Sequence, residues 1–247
     1  MDGIKIKVKL INYTPRPLET ITWAALISYW SEWESEAFER VTMDDVEKHL
    51  PKVLSYGHES ILEHAVFTFA IEGISRVTSH QLVRHRLASY TQRSQRYIRE
   101  ELSREIEELF VIPESVTDKP KLYQGWKKML EEAVRLYKES VECGVSCEDA
   151  RYILPQGVRT KIVVTMNLRE LKHFFGLRTC ERAQWEINHV AWKMLEEIAK
   201  VEKLKPVIKW AKLGPRCIQL GYCPEKELMP EGCFKRTRER WNRIAGD

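Results

Sequence analysis

Residues 84–97 read Arg-His-Arg-Leu-Ala-Ser-Tyr-Thr-Gln-Arg-Ser-Gln-Arg-Tyr, fourteen residues with four arginines, one histidine, two serines and no acid. A solvated helix face normally mixes signs so that i,i+4 pairs support one another, and this stretch cannot. It offers guanidinium forks and hydroxyls, the groups that hold phosphate or carboxylate bidentately. On composition alone, a basic segment for nucleic acid is an open alternative. The order of the residues argues against it. Apolar spacing from Ile74 predicts a helix to about Ala88, so that Arg84-His85-Arg86 stand on its last turn. Ser89, Tyr90 and Thr91 are poorer helix formers, which leaves Gln92 to Arg96 as a loop. A helix end followed by such a loop makes a concave wall, not a continuous helix for a major groove.

The rest of the composition narrows the partner. The formal charge of the 247-residue chain is only +4, so the positive charge that matters is local. No apolar run approaches the roughly 20 residues that span a bilayer. The start, Met1-Asp2-Gly3-Ile4-Lys5, lacks the apolar stretch of a signal peptide, and a cytoplasmic protein is expected. No two of the 11 glycines are separated by a single residue, and no GxxxxGK[ST] occurs. A nucleotide here is therefore not held by a Rossmann turn or a P-loop. Cys143, Cys147 and Cys180 lie in helical sequence and read as small packing residues. Cys217, Cys223 and Cys233 cluster among Gly and Pro near the C-terminus. Their spacings match no common zinc pattern, so packing of the tail is the expectation and no metal is assigned; a disulfide or a metal stays the alternative.

Along the chain, Ile4, Ile6, Val8 and Leu10 alternate with polar residues as a half-buried strand. Residues 18–33 carry Leu18, Ile21, Ala25, Leu26 and Tyr29 at helical spacing. Thr42 is a candidate N-cap for a helix to about Tyr56 that Pro51 could kink or split. Gly57 reads as a helix stop, with a short helix following at His58 or Glu59. His58 and His64 are not at a helical metal-site spacing. Val66, Phe67, Phe69 and Ile71 form a strand ended at Gly73. Residues 100–109 read as acidic and exposed. A long amphipathic helix follows Pro120, and Ser146 caps a short one containing Arg151. Val158 to Met166 is a strand, Asn167 caps a helix to Leu177, and Ala183 to Val201 and Pro206 to Trp210 are further helices. No repeat or linker divides the chain. One α+β domain with a small sheet flanked by helices is the economical reading.

Assembled, these residues resemble the flavin-dependent thymidylate synthases. The family pattern RHRxxSxxxxSxRY stands complete as Arg84-His85-Arg86, Ser89, Ser94, Arg96 and Tyr97. Gly57-His58-Glu59-Ser60 with Glu63-His64 is similar to its GHE[ST]xxEH element, and Ala150-Arg151-Tyr152-Ile153-Leu154-Pro155 to its AR-hydrophobic-LP element. Asn167-Leu168-Arg169, His173, Leu177-Arg178 and Ala183-Gln184-Trp185-Glu186-Ile187 complete the match, which covers 57–187. The first 40 residues and the tail, 213–247 with its cysteines, fall outside it.

The resemblance implies a compact α/β fold of the thymidylate synthase-complementing type spanning 1–247, assembled as a homotetramer with active sites shared between subunits. It implies methylation of dUMP to dTMP with 5,10-methylenetetrahydrofolate, FAD carrying reducing equivalents from NADPH. Flavin-binding positions correspond to Ser60, Arg84, His85, Arg86, Gln92, Asn167, Arg169 and His173. Nucleotide-binding positions correspond to Gln81, Arg84, Gln92, Arg93, Ser94, Gln95, Arg96, Arg151 and Arg178. Arg178 is the implied catalytic residue, its guanidinium at the uracil edge favouring the anionic ring. His58 corresponds to a position near flavin and substrate. Four positions depart from some other members. Thr91-Gln92 replaces Asn-Glu, which rules out a carboxylate proton role there; His173 stands for Asn and Arg182 for His. The rival readings are a nucleic-acid-binding module using Arg84 to Arg96, and a flavoprotein acting on another nucleotide.

Overall fold

The structure, a computed structural model, describes residues 6–28, 35–96 and 105–246. The positions of Ile4, Tyr29 and Tyr97 lie outside them. Four strands, β1 (Lys7–Tyr13), β2 (Val66–Ser75), β3 (Ala88–Gln92) and β4 (Arg159–Asn167), form a sheet in the order β1-β2-β4-β3. The helices are α1 (Pro17–Leu26), α2 (Met43–Ser55), α3 (Arg76–Leu82), α4 (Ile106–Leu109), α5 (Glu114–Thr117), α6 (Pro120–Glu142), α7 (Cys147–Ala150), α8 (Leu168–Arg178), α9 (Trp185–Ala199), α10 (Lys205–Trp210), α11 (Arg216–Leu220) and α12 (Cys233–Ala245). Register follows from the strand ends. Thr14 N–H bonds Val66 O, Leu168 N–H bonds Ala65 O, and Arg76 N–H bonds Val158 O. Each joins the end of one strand to the start of the next, so the pairs are antiparallel. The fold is α+β, as expected.

Backbone contacts divide the chain into two compact units, neither of them one continuous stretch. The first holds 1–7, 71–84 and 91–163. Its core gathers Ile106, Phe110, Leu130, Val134, Tyr137 and Val158. Ile106 and Leu109 are thus buried, which corrects the expectation that 100–109 is simply exposed: two apolar side chains one helical turn apart outweigh the acids between them.

The second unit holds 8–70, 85–90 and 164–247. Thr42 caps α2 with a reciprocal Asp45 bond, and Pro51 lies inside the helix without ending it. Asn167 caps α8 by accepting from Glu170 N–H at 2.8 Å. Below that cap Leu168, Leu171, Phe174 and Phe175 are fully buried, the inward face expected. The tail belongs to this unit. Trp241 of α12 donates its ring N–H to Leu213 O at 2.6 Å. A Cβ on Gly214 would come within 2.6 Å of the same ring, so only glycine lets the indole seat there.

Two local readings are corrected. Gly73 does not end β2, which continues to Ser75 with Gly73 at φ 80°. The helix from Ile74 stops at Leu82, not Ala88, and Ala88 to Gln92 is a strand. Tyr90 and Thr91 suit a pleated surface better than a helix, and β4 offers the pairing partner.

Candidate active site

Arg84, His85 and Arg86 therefore stand in the turn between α3 and β3, not on a helix. His85 is 4% exposed while Arg84 and Arg86 are exposed. Neither arginine side chain has a hydrogen-bond or ion-pair partner among the described residues, which leaves both forks to a ligand.

In the second unit His85 joins two groups. Its Nδ1 lies 3.2 Å from Glu170 Oε1, and its Nε2 accepts from Arg178 Nε at 3.1 Å. A guanidinium can only donate, so Nε2 is bare and the ring hydrogen sits on Nδ1, facing the carboxylate. Burial, helped by Arg178 and His173, lowers the His85 pKa to about 4. The contact with Glu170 is thus a hydrogen bond to a neutral imidazole and not an ion pair. Burial also raises the pKa of Glu170 and lowers that of Arg178. Tyr90 donates to His85 O at 2.8 Å, and its own buried phenol is pushed upward. Phe174 packs edge-on against the ring at 4.9 Å, and His173 lies 5.7 Å away.

Ligand atoms of His85, Glu170 and His173 lie within 4.8 Å of one another, the spacing of a metal site. A cation there would have to displace Arg178, because both ring nitrogens of His85 are already engaged.

Around this group, Arg169 pairs with Glu63, and Lys172 with Glu59. These pairs bring the Gly57 to His64 element against the first turns of α8. Ser60 and His58 are exposed on that element. Asn167 has spent its amide oxygen on the helix cap, so a ligand contact by this residue falls to Nδ2. Asn188 Nδ2 donates to both Arg178 O and Cys180 O at 2.9 Å, fixing the backbone behind Arg178.

In the first unit Gln92 donates to Ser79 Oγ at 2.9 Å and Thr160 Oγ1 at 3.2 Å. Its amide oxygen is what remains for a ligand. Arg93 O accepts from Arg76, and Ser94 Oγ accepts from Arg96 N–H. Arg96 and Arg151 converge on Glu148, one at its carboxylate at 2.7 Å and the other at its backbone oxygen at 3.0 Å. Gln95 is buried with its Nε2 unpartnered, an atom a bound ligand would satisfy. Gln81 is half-buried at the end of α3.

Sequence reading missed Glu170, Tyr90 and Glu148. Glu170 did carry a signal: it is the third residue after the N-cap Asn167, where a glutamate reads as half of a capping box. Only one half forms, and the carboxylate goes to His85.

The buried histidine sets a pH dependence. Its folded pKa of about 4 lies below the ordinary 6.5, so the unfolded chain binds the extra proton between those values. Stability is complete above pH 6.5 and declines toward pH 4, by as much as about 3 kcal/mol from this group. The raised Glu170 opposes this just above its ordinary range. Chemical denaturation from pH 7 to 4 should show the loss in the wild type and a flatter curve in His85→Asn; equal slopes would remove His85 as the cause.

An α+β fold with two unpartnered arginines in the turn before β3, and a buried glutamine amide nitrogen without a partner after it, is the arrangement of a protein that holds a polar ligand. The chain matches the family described as Thymidylate synthase complementing protein over residues 9–202. It is 72% identical to the flavin-dependent thymidylate synthase of Thermococcus onnurineus over 244 residues, covering 99% of this chain and 98% of that protein. It is 46% identical to the enzyme of that name from Geobacter sulfurreducens, over 89% and 91% of the two chains. A crystal structure of flavin-dependent thymidylate synthase ThyX from Helicobacter pylori complexed with FAD and dUMP superposes with a TM-score of 0.63 at 26% identity, covering 77% and 93%. The chain belongs to the thymidylate synthase complementing protein family, and the near-full-length relative includes the tail.

Proposed function

We propose that this chain is a flavin-dependent thymidylate synthase, methylating dUMP to dTMP with 5,10-methylenetetrahydrofolate as carbon donor, FAD as cofactor and NADPH as reductant. The observation that carries the reading is the match, over 99% of the chain, to a protein of that name. The residues fit the cofactor: two adjacent arginine forks with no acid partner among the described residues suit a pyrophosphate. When bound, flavin supplies the hydride chemistry that the chain lacks. Arg84 and Arg86 hold its phosphates, with Ser60, Asn167 Nδ2, Arg169 and His173 bonding the rest. His85, neutral and buried, serves this site by orienting Arg178 and not as a proton donor.

The nucleotide falls to Gln81, Gln92, Arg93, Ser94, Gln95, Arg96 and Arg151. Gln95 Nε2 gains a partner on binding, and Arg96 and Arg151 neutralise the phosphate, displacing the Arg96 contact to Glu148. Arg178 donates to the uracil edge and favours the anionic ring, raising its nucleophilicity at C5. We further propose a cytoplasmic homotetramer with sites at subunit interfaces, checked by light scattering of the purified protein.

The purified protein is expected to be yellow, to oxidise NADPH faster when dUMP is present, and to form dTMP once methylenetetrahydrofolate is added. A flavoprotein acting on another nucleotide would be yellow yet form no dTMP. A colourless protein whose nucleic-acid binding weakened steeply with salt would revive the basic-segment reading.

A further inference from the structure

Residues 216–232, which include α11, contain no buried residue, and Tyr222 and Leu228 are exposed. Seventeen consecutive residues without a core side chain need another fastening, and small coreless segments obtain it from disulfides or metal. Cys217 and Cys223 are half-buried within this segment, and the buried Cys233 follows it. Gly221 and Gly232 take left-handed φ of 82° and 75°. Gly221 N–H bonds Cys217 O at 2.9 Å, turning the chain so that Cys223 returns toward Cys217. Gly232 turns it again so that Cys233 opens α12.

The chain on either side of a fourth cysteine, Cys180, is tied to the same segment. Gln219 of α11 donates to Lys172 O of α8 at 2.8 Å. Arg182 pairs with Glu225 at 2.8 Å and Arg236 with Glu181 at 3.4 Å. Each contact ties a residue within three positions of a tail cysteine to α8 or to the chain beside Cys180. Burial, with Cys223, Cys180 and Cys233 nearby, pushes the Cys217 thiol up to about 11.

We infer that Cys180, Cys217, Cys223 and Cys233 form a tetrathiolate site for a thiophilic metal ion, zinc in the first instance, that fastens the C-terminal segment to α8. Four sulfurs and no oxygen donor match tetrahedral zinc. No three of these sulfurs lie within 4.8 Å of one another, so metal binding draws residues 216–232 inward, a movement that no buried side chain in the segment opposes.

The test is metal content and thiol count on the whole protein, purified with reductant and zinc and then dialysed. About one zinc per chain is expected, with all six cysteines titrating after denaturation and chelation. Cobalt exchanged for zinc should give a sulfur-to-metal charge-transfer band in the near ultraviolet. Cys217→Ser should abolish both signals, while Cys143→Ser, at an exposed thiol elsewhere, keeps them. Should the first variant fail to fold, the zinc count and cobalt spectrum of the unmodified protein still decide. No zinc with six free thiols, or no zinc with thiols missing as disulfides, would overturn the site. So would zinc that survives Cys217→Ser and is lost in His173→Ala.

Discussion

Arg178→Ala should lower turnover about 100- to 1,000-fold, the range seen when one preorganised donor to a developing anion is removed. The side chain is held before substrate arrives, because its Nε donates to His85 Nε2 at 3.1 Å. Its main chain is held separately, by Asn188 Nδ2 on Arg178 O at 2.9 Å. Truncation should therefore leave the fold and the flavin absorbance nearly unchanged while dTMP formation falls. Arg178→Lys keeps the charge but cannot donate from a planar fork, so it should recover less than about tenfold of the loss. The comparison is of kcat under saturating dUMP with the visible spectrum of the same sample. Turnover within two- or threefold of wild type in Arg178→Ala would remove this residue from the chemistry.

Glu170→Ala is expected to act on the same guanidinium from two residues away in the hydrogen-bond chain. It leaves the His85 Nδ1–H buried without an acceptor, costing about 1–3 kcal/mol of stability. The tautomer is also released. If the hydrogen moves to Nε2, a donor faces the Arg178 donor and the anchor is lost. We expect kcat to fall about 10- to 100-fold, as when the outer partner of a histidine is removed. Glu170→Gln retains an acceptor oxygen and should recover most of the loss. Nitrogen NMR of labelled His85 separates this from general destabilisation: the bare nitrogen should be Nε2 in wild type and Glu170→Gln, and should change in Glu170→Ala. An unchanged tautomer with full activity would mean that the carboxylate merely fills space.

Both predictions depend on a chain of contacts only partly visible in the residue order. His85, His173 and Arg178 stand out as family positions, and Asn167 as a cap. Glu170 lies between them with a chemical identity that a capping box explains equally well, so nothing local separates the two roles. The separation from His85 to Glu170 is 85 residues, and from His85 to Arg178 it is 93. Pattern reading does not reach contacts of that range. The tail shows the same limit from the other side. Three of its cysteines were recognisable as a cluster, yet Cys180 reads as a helix residue until α8 and α11 are seen together.

The sequence by itself determined the helices with their caps at Thr42, Ser146 and Asn167, the buried stripe of α8, the β2 and β4 strands, and the family. Those signals are written within four or five residues, in capping side chains and in periods of 3.6 and 2. Tertiary structure alone decided that the arginine-rich stretch opens in a turn and continues as β3, because a strand of five residues exists only when β4 supplies its partner. It alone decided that His85 is buried and neutral, because its protonation follows from desolvation and from neighbours brought in across the fold.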